Sequence, residues 1–129
     1  MYRDVLMRLS AFQKNYSLHD SPITNLSYVP EQGQLILSVE VCDDGQWPLG
    51  ERGSDPWPVN VVFTGVSHYS LSTHALDFEN DEISHARLLP AEKPGKERIE
   101  FILLTTSRQG MDQLKTLQIE AENVDWSFS

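Results

Sequence analysis

His19 and Asp20 are adjacent, and a histidine beside a carboxylate is the pairing that both general-base chemistry and metal binding use. Neighbouring residues, however, usually point in different directions, and a metal site needs three or more convergent ligands. His68, His74 and His85 fall on other segments, and no H-x-x-x-H spacing links them. Taken by themselves, these residues read as an Asx-type turn at Asp20 before Pro22, with His19 partly buried. The alternative is a ligand-binding or hydrolytic pocket built on His19, Asp20 and His85. It requires those side chains to converge within hydrogen-bond reach.

Other residue types with chemical potential fall short of a motif. The carboxylates of Asp77-Phe78-Glu79-Asn80-Asp81-Glu82 alternate as in a calcium loop, but that loop needs glycine at position six and glutamate at twelve. Glu82 and Leu88 stand there instead, so a solvated acidic turn is expected. Gly65-Val66-Ser67-His68-Tyr69 lacks the second glycine of a nucleophile elbow. Cys42 precedes Asp43 and Asp44, and acidic neighbours raise a thiol's pKa rather than activate it. No glycine-rich loop opens a helix to cradle phosphate. The residues therefore lean away from an enzyme and assign no catalytic residue, metal or cofactor.

The segment Asp43 to Pro58 stands apart. It holds two of the three tryptophans, three of the seven prolines and three of the seven glycines. Loops of this length inside compact domains are uncommon and often functional, and tryptophan is enriched at binding hot spots. Trp47, rimmed by Asp43, Asp44, Glu51 and Asp55, is the expected contact surface for a partner protein. Trp57, set between Pro56 and Pro58 at a strand start, reads as core.

These candidates need a scaffold to position them, and the hydropathy pattern supplies one. Tyr2, Val5, Leu6, Leu9 and Phe12 follow the i, i+3, i+4, i+7 spacing of one helical face, predicting an amphipathic helix over residues 1–15. From Ile23 the period changes to two. Ile23 to Val29, the turn Pro30 to Gly33, and Gln34 to Cys42 read as a hairpin, with Leu35, Leu37, Val39 and Val41 on one face. Val59 to Ser72 reads as one strand or two, with a bulge at Gly65. Glu82 to Leu89 and Glu97 to Thr106 follow; Ile102 and Leu104, out of phase with Ile99, Phe101 and Leu103, imply burial on both faces of the latter. In Leu114 to Phe128 the apolar phase changes between Ala121 and Val124, which requires a register slip at Glu122-Asn123. The fold class is mainly β (α+β): an antiparallel sheet or sandwich of about 6–7 strands over 23–128, with an N-terminal helix, in one domain spanning 1–129.

Composition narrows the function further. The net charge is −9, and with Arg3, Arg8 and Lys14 against Asp4 giving +2 over residues 1–18, the remainder carries −11. Such a field repels phosphate backbones and attracts a basic protein, so no nucleic-acid partner is expected. No apolar run approaches the ~20 residues that cross a bilayer, so no membrane partner is expected either. Arg3, Asp4 and Arg8 interrupt any leader-like apolar stretch, and one cysteine permits no intrachain disulfide; a cytoplasmic location is expected.

Leu18-His19-Asp20-Ser21-Pro22-Ile23 leading into a hairpin, the Pro/Trp-bearing loop, and Asn60-Val61-Val62-Phe63-Thr64-Gly65-Val66 together resemble small bacterial all-β domains, some of them immunity proteins of polymorphic toxin systems. The resemblance spans most of residues 18–128, without the N-terminal helix. It implies a non-enzymatic module that binds and neutralises a basic toxin. A structural homodimer, paired through exposed strand edges, is the remaining alternative.

Overall fold

The computed structural model describes residues 6–41, 56–72, 76–106 and 112–128. Its helix, α1, spans Leu9–Asn15, and its strands are β1 (Ser21–Val29), β2 (Gln34–Val41), β3 (Trp57–Thr64), β4 (His68–Leu71), β5 (Asp81–Leu89), β6 (Glu97–Thr106), β7 (Asp112–Ala121) and β8 (Asn123–Phe128). They form one eight-stranded antiparallel sheet in the order β4-β7-β6-β5-β1-β2-β3-β8. The two ends of that order are linked by covalent continuity. β3 runs into β4 through Gly65 to Ser67, and β7 runs into β8 through Glu122. Because β3 pairs with β8 and β4 with β7, these are two bent strands paired along both halves, and the sheet returns on itself.

The strand count exceeds the expected 6–7 for this reason. Both breaks sit where the sequence shows an irregularity, at Gly65 and at Glu122. Gly65 has φ +63°, and a Cβ there would lie 2.8 Å from Glu122 Cγ. Only glycine lets the two bends nest. Lys96 clasps the corner, its Nζ donating to the Gly65 carbonyl at 2.6 Å and to Glu122 Oε1 at 3.2 Å.

Period-two alternation sets the core. Leu35, Leu37, Val39 and Val41 are buried, as are Val59, Val61 and Phe63 facing them from β3, and Ile99, Phe101 and Leu103 from β6. The Phe63 and Phe101 rings meet edge to face at 6.4 Å, joining the halves of the folded sheet. Leu117, Ile119 and Ala121 before the Glu122 break, and Val124 and Trp126 after it, are all buried. Ile102 and Leu104 are only half-buried, although β6 lies centrally between β5 and β7.

Among the described residues the helix begins at Leu9, so residues 6–8 depart from the expected helix over 1–15. Met7 is drawn into a bridge with Val124, its N–H donating to the Val124 carbonyl at 3.0 Å, and Arg8 is extended. Backbone pairing with β8 thus keeps Met7 out of the helix, and Leu6 is exposed. Leu9, Phe12 and Tyr16 carry the apolar face into the core. Arg8 fixes the helix start by donating to the Gly95 and Glu122 carbonyls and pairing with Glu97 at 3.3 Å.

Candidate functional site

A crevice of about 210 Å³ opens where α1 and the segment following it cross β5 and β6. Its floor is apolar: Phe12, Leu18, Ile83, Ile99 and Phe101. Its rim carries Gln13, Tyr16 and Ser17 from the helical side, then His19, and His85 and Ala86 from β5.

Local backbone geometry assembles this rim. Asp20 turns the chain with φ +60°, and its N–H donates to the Ile83 carbonyl at 2.7 Å. That contact sets β1 beside β5, where Ser21 pairs with Ile83. The register of β5 against β6 slips between Ile83 and His85, leaving Ser84 at the irregularity. A bulge re-aims the side chains around it. Ser84 consequently serves both imidazoles: its carbonyl accepts from His19 Nδ1, and its hydroxyl lies 3.3 Å from His85 Nδ1. Gln13 Nε2 reaches the Ala86 carbonyl at 3.5 Å, spanning helix and strand.

His19 and Asp20 do meet, with Nε2 to Oδ2 at 3.2 Å, because the positive φ at Asp20 swings its carboxylate back toward the preceding ring. His19 was expected to be partly buried and is instead exposed, with 64% of its side chain accessible. Its two ring nitrogens face a carbonyl and a carboxylate, so neither offers an open lone pair to the crevice. This arrangement orients the ring. The structure brings His19 and His85 to one crevice and places Asp20 behind His19. Ser84 went unnoticed in the sequence, where no local pattern marks a bulge.

The acidic clusters divide differently than their sequence suggests. Asp81 is not part of a solvated turn; it is 1% exposed at the start of β5. Its carboxylate accepts from Lys115 Nζ at 2.9 Å, from the Asp77 N–H at 2.7 Å, and from the Thr105 hydroxyl. Asp77 stays on the turn, where the Asn80 amide and the Glu79 N–H hold its carboxyl below the ordinary value. On the outer face of β5, β6 and β7, Glu100 accepts from Arg87 Nε at 2.7 Å and Gln118 Nε2 at 2.8 Å. Burial opposes ionisation of Glu100, but these donors outweigh it and hold its carboxyl low. Glu120, 1% exposed, behaves alike: burial is outweighed by the Glu92 N–H, the Ser67 hydroxyl and Arg98. Each of these carboxylates is hydrogen-bonded within the fold.

An aromatic seam runs from the crevice toward the strand ends. Phe12 and Tyr16 lie 5.4 Å apart, Tyr16 and Trp126 5.7 Å, Trp126 and Phe128 5.2 Å, and Phe128 and Trp57 4.9 Å. Trp57 is half-buried and packs on the core. Trp47, Asp43, Asp44, Glu51 and Asp55 lie outside the described residues, as do Cys42 and His74. Among the described residues, no three His, Cys, Asp or Glu side chains group to hold a metal ion. No helix among them is long and apolar enough to cross a membrane. Comparison with known families, curated proteins and solved structures gives no match.

Proposed function

We propose that the protein is a non-enzymatic binding module, and that the crevice between α1 and β5 is its recognition site. The observation that carries this reading is the convergence of His19 and His85 on one apolar-floored crevice. Concave sites with apolar walls and a few placed polar groups are where small ligands bind. Binding is favoured over hydrolysis because the Ser84 carbonyl and Asp20 occupy the ring nitrogens of His19. Saturation-transfer NMR with a fragment mixture tests the reading. Fragments are expected to contact the native protein and to lose contact in Ala86→Leu, whose larger side chain fills the rim. Equal contact with both proteins would move the site elsewhere and refute the assignment.

A second reading rests on charge. With a net −9, the chain is complementary to a basic protein, and an immunity-type inhibitor of a basic toxin, engaging through residues 43–58, is its concrete form. Association whose rate falls steeply with added salt would support it. The homodimer alternative is opposed at β8, whose edge is blunted by the Met7 bridge and by Asp125, which accepts the Trp126 N–H at 2.8 Å.

A further inference from the structure

We infer that the crevice takes a small, uncharged, planar ring compound of one or two fused rings, its polar edge set against His85 and the Gln13 amide; the inference rests on the binding reading above. Its first support is size. At about 210 Å³ the crevice falls below the ~300–1,000 Å³ of sites that enclose drug-sized ligands, which suits a one- or two-ring molecule. The second is charge. Among the described residues, the crevice lining contains no Lys, Arg, Asp or Glu. It therefore offers phosphate or carboxylate groups no guanidinium or ammonium, and offers an amine no carboxylate. A charged ligand would trade water for apolar wall without a fixed counter-ion, which is unfavourable.

The third support is the chemistry of floor and rim. Tyr16 and Leu18, 9% and 5% exposed, bring apolar surface to the crevice over a buried layer of Phe12, Ile83, Ile99 and Phe101, and a flat ring can lie against the Tyr16 ring. The rim supplies polar groups from both sides, the Gln13 amide from α1 and His85 from β5, while His19, its nitrogens engaged by Ser84 and Asp20, closes the rim with its ring. Ser84 contacts both imidazoles, His19 through its carbonyl and His85 through its hydroxyl, so the β5 bulge brings the two rings to one rim. A ring with a donor or acceptor on its edge meets both requirements at once.

Three planar probes with equal numbers of non-hydrogen atoms test this: indole, benzoate and benzamidinium. Binding is followed by the imidazole Cε1–H signals of His19 and His85, assigned with His19→Gln and His85→Gln. Indole is expected to shift both signals, with a Kd at least about tenfold below that of either ion, a preference near 1.4 kcal/mol. Loss of those shifts in Ala86→Leu, with an unchanged unfolding transition, would complete the support. Benzoate or benzamidinium binding as tightly as indole would overturn the uncharged class while leaving the crevice a binding site. Failure of all three probes to move either signal in the folded protein would overturn the binding reading itself. Indole shifts that persist in Ala86→Leu would place the ring elsewhere and overturn both.

Discussion

Replacing Lys115 by methionine should be among the most damaging single changes in this chain, although it removes only one surface-type residue from the sequence. Lys115 is 7% exposed and donates to a carboxylate, Asp81, that is 1% exposed. Methionine keeps most of the stem volume but strands that charge with the Thr105 hydroxyl and the Asp77 N–H alone. Breaking a buried pair by removing one partner costs about 3–5 kcal/mol. The whole fold, at 129 residues and roughly 0.05–0.15 kcal/mol each, has only about 6–19 kcal/mol of stability. At about 3–4 °C per kcal/mol for a domain of this size, the expected loss in Tm is roughly 10–20 °C, read by calorimetry or circular dichroism. The double variant Asp81→Asn with Lys115→Met removes the charge while keeping a carbonyl for Thr105 and Asp77, and should recover most of that loss. A single variant within about 2 °C of the native Tm would show that the carboxylate is hydrated, against the reasoning. A double variant as damaged as the single would assign the cost to lost packing of the lysine stem instead.

Two glycines give a paired prediction. Gly65→Ala meets both a positive φ and the Glu122 side chain at 2.8 Å, whereas Gly95→Ala, with φ +77°, meets nothing within 4 Å. Gly95→Ala should cost about 1–2 kcal/mol from backbone strain, and Gly65→Ala clearly more by urea unfolding. Acidification supplies another. Glu100 and Glu120 are held below the ordinary value of 4.5 in the folded chain, so the unfolded chain binds more protons once pH falls toward that value. Their stabilisation is fully present above it and is lost as pH drops through the folded values. Unfolding free energy measured from neutral pH down to about pH 3 should be flat and then fall, and the fall should be shallower in Glu120→Gln.

Much of the scaffold was legible because burial writes itself into a two-residue period. The turn at Gly33, the inner face of β2, the irregularity at Gly65 and the phase change at Glu122 were all placed from residue types alone, and the structure has each of them. The helix was legible only in part. Leu9 and Phe12 obey the 3.6 period, but Met7 answers to a β8 partner more than a hundred residues away, and no local pattern registers that bridge.

The sequence by itself determined the β class, the apolar faces and the acidic balance, since these follow from composition and from periodicity along one chain segment. It also supplied His19, Asp20 and His85 as candidates, yet gave no reason for them to meet. The tertiary structure decided that. The positive φ at Asp20 turned its carboxylate onto His19, and the slip of β5 against β6 placed Ser84 between the two imidazoles. It likewise decided that Asp81, one carboxylate in an acidic run, lies buried against Lys115. Long-range pairing fixes which member of a charged cluster loses its water, and that choice depends on strands that the cluster does not contain.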